Sequence, residues 1–154
     1  MWGMIATSHI GKRAVAQMRI TPSELPSPEI VCLVDDDPSV LRSTGRLLVS
    51  DGFAVRPFNK GEDFIAYVAS HEVPLVVLDI WMKEMTGLEV LARLCATSPQ
   101  THVIVITGRE DSAARITAMQ IGIVAFLIKP FDAEQFLEVV HRALGHPPAS
   151  PRKP

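Results

Sequence analysis

Long apolar runs, cysteine patterns and an excess of one charge are all missing from this chain, and each absence removes a class of function. No stretch approaches the roughly 18 apolar residues of a membrane span, so no membrane partner is expected. Lysine and arginine number 15 against 17 acids, a formal net charge of -2. That balance leaves no broad basic surface, and direct nucleic-acid binding is not expected. The two cysteines, Cys32 in an apolar run and Cys95 in a helical stretch, form no metal-ligand pattern. Both read as buried thiols in a reducing compartment, which predicts a cytoplasmic location. Met1 to Gln17 carries Lys12 and Arg13 but no apolar run of secretory length.

What is present is ordinary in bulk and uneven along the chain. With 154 residues, 47% hydrophobic and 21% charged, there is material for one domain with a proper core plus tails. Thr21 to Pro28 has the proline- and serine-rich composition of a linker, and Pro147 to Pro154 is a second proline-rich stretch. The expected organisation is a flexible extension over 1–28, a folded unit over 29–145 and a tail over 146–154.

Within the folded unit, β-branched runs alternate with amphipathic stretches. Strands are predicted at Ile30–Val34, Ala54–Phe58, Leu75–Leu78, Val103–Ile106 and Val124–Ile128. The first helix should open at Pro38, where the missing N–H costs nothing, with Asp37 as its N-cap. It should stop at Asp51-Gly52, a glycine suited to a left-handed turn. Further helices are predicted near 60–69, 87–96 and 111–121, and a fifth opens with the capping-box spacing of Asp132 and Gln135. This alternation predicts an α/β fold, a doubly wound five-stranded parallel sheet covered on both faces. Right-handed crossovers gather the carboxyl ends of the strands on one edge.

Those ends carry polar residues of complementary kinds. Asp35-Asp36-Asp37 follows the first strand, Asp79 the third, Thr107-Gly108 the fourth and Lys129-Pro130 the fifth. With Asp37 set aside as a cap, three carboxylates meet, and each like-charge pair costs on the order of 4 kcal/mol. Either some keep their protons or a cation sits among them. Oxygen ligands without histidine or cysteine select Mg²⁺ or a similar hard ion. Lys129 adds a positive charge, Thr107 a hydroxyl, and Gly108 leaves space for an incoming group. A carboxylate flanked in this way is equipped to attack phosphorus and to hold the acyl phosphate that results.

The stretch from Ile30 to Leu144 resembles the receiver domain of bacterial two-component response regulators. The matching motifs are Val34-Asp35-Asp36-Asp37, Leu78-Asp79-Ile80-Trp81-Met82, Met85-Thr86-Gly87-Leu88-Glu89, Val105-Ile106-Thr107-Gly108 and Ile128-Lys129-Pro130-Phe131. Asp51-Gly52-Phe53 and Ile106-Thr107-Gly108 look most like receivers of the FixJ type. The resemblance implies the flavodoxin- or CheY-like strand order 2-1-3-4-5. It also implies that Asp79 accepts a phosphoryl group, with Mg²⁺, from a sensor histidine kinase or a histidine phosphotransfer protein. Asp35, Asp36, Asp79 and the Trp81 backbone carbonyl would hold the metal, Asp36 as a direct ligand. Thr107 would turn its hydroxyl to the phosphoryl group, and Lys129, after a cis Lys129–Pro130 bond, would pair with phosphate or with Asp79. Phe126 occupies the position of the rotating aromatic switch residue.

Some implications concern tuning and output. Trp81 and Arg109 stand where such proteins set phosphoryl lifetime; the indole would shield the acyl phosphate, and Arg109 would either clamp phosphate or be solvated. Lys83 departs from the family, which usually has proline there. Beyond autocatalytic phosphorylation and dephosphorylation at Asp79, no enzymatic turnover is implied. Output would pass through the face of helix four, strand five and helix five, to an unidentified protein or to a second copy. On helix four Ala114, Thr117 and Ile121 share a stripe of small or apolar character; an exposed Ile121 would mark a docking patch, whereas Ala114 reads as a small surface residue. No recognition helix fits the tail after Leu144, so a stand-alone receiver is expected, with a module of a longer DNA-binding regulator as the alternative. Two rival classes fit less well. An aspartate-nucleophile phosphatase wants a second acid where Trp81 stands, and a flavin binder's phosphate loop would be repelled by Asp35-Asp36-Asp37.

Overall fold

The computed structural model describes residue 21 and residues 27–147, so the expectations for the extension and for the proline-rich tail fall largely outside the described residues. Five strand–helix units follow one another: β1 (Ile30–Val34), α1 (Pro38–Ser50), β2 (Ala54–Phe58), α2 (Gly61–Val68), β3 (Leu75–Asp79), then α3 (Gly87–Thr97), β4 (His102–Thr107), α4 (Ser112–Ile121), β5 (Ala125–Ile128) and α5 (Ala133–Ala143). All pairings in the five-stranded sheet are parallel, and the order is β2-β1-β3-β4-β5. Every strand residue of β3 is buried, as expected of a central parallel strand with helices on both sides.

Successive strand residues point to opposite faces, and the core divides accordingly. Cys32, Val34, Val76, Leu78, Val103 and Val105 pack with Phe64 of α2, Leu91 and Leu94 of α3 and Ala114 and Ala118 of α4. Val31, Leu33, Leu75, Val77, Ile104 and Ile106 pack on the other side with Leu48 of α1 and Phe136 and Val140 of α5. One phenylalanine anchors each layer, Phe64 and Phe136, both fully buried. Each such side chain contributes about 1.5–3 kcal/mol relative to an exposed one.

The helix starts follow their sequence signals. Asp37 accepts from the Ser39 N–H at 2.9 Å and from the Ser39 hydroxyl at 2.7 Å, with Pro38 in the first turn. These bonds hold the Asp37 carboxyl below the usual carboxylate range. Thr86, Asp111 and Asp132 cap α3, α4 and α5 in the same manner. Gly52 has φ 94°, which only glycine adopts readily.

Two expectations are corrected. Cys32 is buried and its thiol is pushed up to about 11 by that burial, but Cys95 is exposed. It follows Leu94 on α3, one step round the helix from the buried stripe. On α4 the stripe Ala114, Thr117, Ile121 does not form an exposed patch: Ala114 is buried, and Ile121 packs against the core. Ile116 and Met119 are the exposed large apolar residues there, at 57% and 61%. The helix is rotated so that its small residues, Ala114 and Ala118, meet the sheet, which lets the backbone approach closely.

Candidate functional site

Asp79 ends β3 between the carboxyl ends of β1 and β4 and is only 4% exposed. Asp35 follows β1, where its N–H still donates to Phe58 O at 3.1 Å and so extends the ladder by one residue. One Asp35 oxygen accepts from the Asp37 N–H and the other from Lys129 Nζ, both at 2.9 Å. The same ammonium lies 3.8 Å from Asp79 Oδ1. Asp36 accepts from the Lys83 N–H at 3.1 Å, a donor that a proline at this position would lack. One ligand oxygen from each of Asp35, Asp36 and Asp79 falls within 4.8 Å of the other two.

Three carboxylates and one ammonium leave negative charge in excess. Burial pushes the Asp79 carboxyl up to about 6, the neighbouring Asp35 charge adds to the rise, and Lys129 opposes it. A hard cation among the acids would relieve this repulsion, and the all-oxygen donor set fits one. Lys129 is placed by its own backbone, whose N–H donates to Thr107 O at 2.7 Å. The Lys129–Pro130 peptide is cis.

The remaining residues line the approach. The Thr107 hydroxyl is fully buried and bonded within its own turn, donating to Arg109 O at 3.1 Å and accepting from the Arg109 N–H at 3.3 Å. Phe126 is half-buried, with the Arg115 guanidinium 5.5 Å from its ring centre. The Arg109 guanidinium is stacked 3.9 Å above the Trp81 ring, a pairing of cation and aromatic face across the site from β3 to β4. Trp81 is 38% exposed, at the rim. A Cβ on Gly108 would meet nothing within 4 Å.

Residues 31–141 match the family described as response regulator receiver domain. The chain belongs to that family. It is 34% identical over 116 residues to the transcriptional regulatory protein FixJ of Rhizobium meliloti, covering 75% of this chain and 57% of that protein. It is also 34% identical over 117 residues to the DNA-binding transcriptional regulator NtrC of Salmonella typhimurium, covering 76% and 25%. This chain therefore spans a quarter to just over half of these relatives. Among solved structures, the crystal structure of FixJ-N aligns with TM-score 0.72 and 33% identity, over 81% of this chain and all of that one. A beryllofluoride-activated NtrC4 receiver domain dimer aligns with TM-score 0.72 and 29% identity, over 75% of this chain and 96% of that one.

Within the receiver, strand ends far apart in sequence bring Asp35, Asp36, Asp79 and Lys129 into contact range, while Thr107 and Phe126 sit on the neighbouring strands. Arg109 is exposed, with its guanidinium resting on the face of the Trp81 ring. Gly87 is a positioning residue that sequence reasoning quoted as part of a motif without assigning it a task. A Cβ there would stand 2.2 Å from Asp79 O and 2.7 Å from Ile80 Cα, and the Gly87 N–H donates to Ile80 O at 2.8 Å. The start of α3 is thus pressed against the backbone of the central acid. Its sequence signal was only a glycine directly after an N-cap threonine. No helix among the described residues is long and apolar enough to cross a membrane.

Proposed function

We propose that this receiver is a phosphorylation switch in which Asp79 takes a phosphoryl group from a sensor histidine kinase or a histidine phosphotransfer protein. The observation that carries the reading is the burial of Asp79 at a central strand end, within ligand distance of Asp35 and Asp36 and 3.8 Å from the Lys129 ammonium. With its carboxyl at about 6, Asp79 is mostly ionised at neutral pH and retains a basic oxygen. That oxygen bonds to phosphorus as the phosphohistidine P–N bond breaks, and the imidazole leaves with a proton. Mg²⁺ would be held by Asp35, Asp36, Asp79 and the Trp81 carbonyl, where it would neutralise phosphoryl oxygens. Lys129 supplies a second positive charge to the same oxygens, and Thr107 a hydroxyl donor once its local bond to Arg109 O is released.

The readout runs through Thr107 and Phe126 to α4, β5 and α5. The exposed Ile116 and Met119 on α4 offer a docking surface for an output protein or for a second receiver. The matched lengths of FixJ and NtrC favour a second arrangement, in which the receiver controls a DNA-binding domain in a longer regulator. In either setting the protein works in the cytoplasm as a phosphoacceptor and performs no turnover chemistry beyond its own acyl phosphate.

The test is phosphotransfer. The protein is incubated with Mg²⁺ and either acetyl phosphate or a phosphorylated histidine kinase, and the added phosphate is followed by intact mass and radiolabel. Wild type should gain one base-labile, hydroxylamine-sensitive phosphate and Asp79→Asn none. Retention of label by Asp79→Asn would overturn the assignment.

A further inference from the structure

At the edge of the sheet away from the acidic cluster, two helix ends interlock. In α1 the Phe53 and Gly52 N–H groups donate to the Leu48 and Val49 carbonyls; in α5 the His146 and Gly145 N–H groups donate to the His141 and Arg142 carbonyls. Gly52 and Gly145 are both left-handed, with φ 94° and 72°. This is the same C-terminal turn twice, and an apolar contact usually joins its first acceptor residue to its last donor. Leu48 and Phe53 supply it in α1, packed in one buried cluster. In α5 those two places are held by histidines, whose rings meet Nδ1 to Nδ1 at 2.8 Å.

The outer ring nitrogens are both engaged. His141 Nε2 lies 2.6 Å from Asp51 Oδ2, and His146 Nε2 bonds Glu29 Oε1. An ionised carboxylate only accepts, so each Nε2 is a donor and carries a proton. Two neutral rings would then turn lone pairs on each other across 2.8 Å. One further proton makes that contact an N–H···N hydrogen bond, and a second would oppose two N–H groups. The ring centroids, 5.0 Å apart, place the rings nearly end to end, as a hydrogen bond requires.

We propose that His141 and His146 share one proton and form a pH-responsive latch that fixes how the chain leaves α5. The charged groups meeting the rings are Asp51 from the end of α1 and Glu29 from the residue ahead of β1. On α5 itself the neighbouring charges are Glu138, one turn earlier, and Arg142, next in sequence. Phe53 packs its ring against both imidazoles, at 5.2 and 6.2 Å. The single positive charge therefore sits between two carboxylates and beside the negative ends of two helices. Because Glu29 directly precedes β1 and His146 follows α5, the latch ties the segment entering the first strand to the segment leaving the last helix. Loss of the shared proton, or gain of another, sets like groups face to face and opens it.

The test is imidazole ¹⁵N NMR across a pH series on the whole chain, with thermal unfolding in parallel. Both rings of wild type should keep protonated Nε2 while their Nδ1 signals move together, with scalar coupling through the shared proton. His146→Leu, which restores an apolar partner at the end of the turn, should alter the titration of His141. The wild-type melting temperature should exceed that of the variant by about 3–6 °C at the optimum, the size a charge-assisted hydrogen bond gives a domain of this length, and the margin should shrink on either side. Independent titration of the two rings, or a margin constant with pH, overturns the latch. A Ni²⁺- or Zn²⁺-dependent rise in melting temperature that His146→Leu abolishes also overturns it, by putting a metal where the proton was placed.

Discussion

Replacing Asp79 by asparagine should make this protein more stable, and increasingly so as pH rises. The carboxyl moves from an ordinary 3.8 to about 6 on folding, because burial and the Asp35 charge disfavour its ionised form. A raised carboxyl contributes stability in full below about pH 4 and loses it as pH climbs through about 6. Above that point both states are ionised, and the folded state carries a penalty of about 3 kcal/mol. Asparagine keeps the size and an oxygen for the Trp81 N–H, but it never ionises. The variant should gain about 3 kcal/mol at pH 8 and roughly half as much at pH 5. Urea unfolding of both proteins at several pH values, followed by circular dichroism, measures the difference while common titrations cancel. If the folded cluster holds Mg²⁺ as proposed, saturating Mg²⁺ should stabilise wild type more than the variant. A stability difference flat from pH 5 to pH 8, or one that shrinks, would refute the account of Asp79 as a carboxylate held at an electrostatic cost.

Three further substitutions probe the surroundings. Gly87→Ala forces a methyl onto the Asp79 carbonyl, 2.2 Å away, and should lower stability by about 1–3 kcal/mol, read as a lower urea midpoint with unchanged slope. Lys129→Met removes the partner of buried Asp35 and the charge that holds Asp79 down, so a ¹³C-detected titration should find the Asp79 carboxyl above its wild-type value. Trp81→Ala removes the ring beneath Arg109, which costs about 0.5–1 kcal/mol of stability and should change the acyl-phosphate lifetime; an unchanged lifetime would show that the indole does not shield the site.

Much of the architecture was legible in the chain because local and global signals agree. β-branched runs such as Val103–Ile106 lie between helical stretches, and Asp37-Pro38 and Asp132 mark helix starts that the structure keeps. The gathering of Asp35, Asp36, Asp79 and Lys129 followed from parallel topology, which puts the carboxyl ends of strands on one edge. What escaped depends on quantities that spacing does not carry. The exposure of Cys95 and the turn of Ile116 and Met119 to solvent are set by a few tens of degrees of helix rotation. The stacking of Arg109 on Trp81 joins two loops whose paths no motif specifies. The role of Gly87 is a matter of backbone clearance, visible only once α3 is docked against Asp79. The two histidines were invisible because their partners lie 90 and 117 residues away.

The division of the core into two layers reaches into the site. Asp79 follows the alternation of Leu75 and Val77, the layer of α1 and α5, whereas Thr107 follows Val103 and Val105, the layer of α2, α3 and α4. Asp79 is in register with Ile106, so the two side chains stand one residue and one strand apart, on opposite sides of the sheet. A group built on Asp79 and grasped by Thr107 would be a strut over the rim of the sheet, joining two compartments that the backbone otherwise keeps apart. Its pull would reach α4 by way of the buried Thr107, once the Thr107 hydroxyl gives up its bond to Arg109 O.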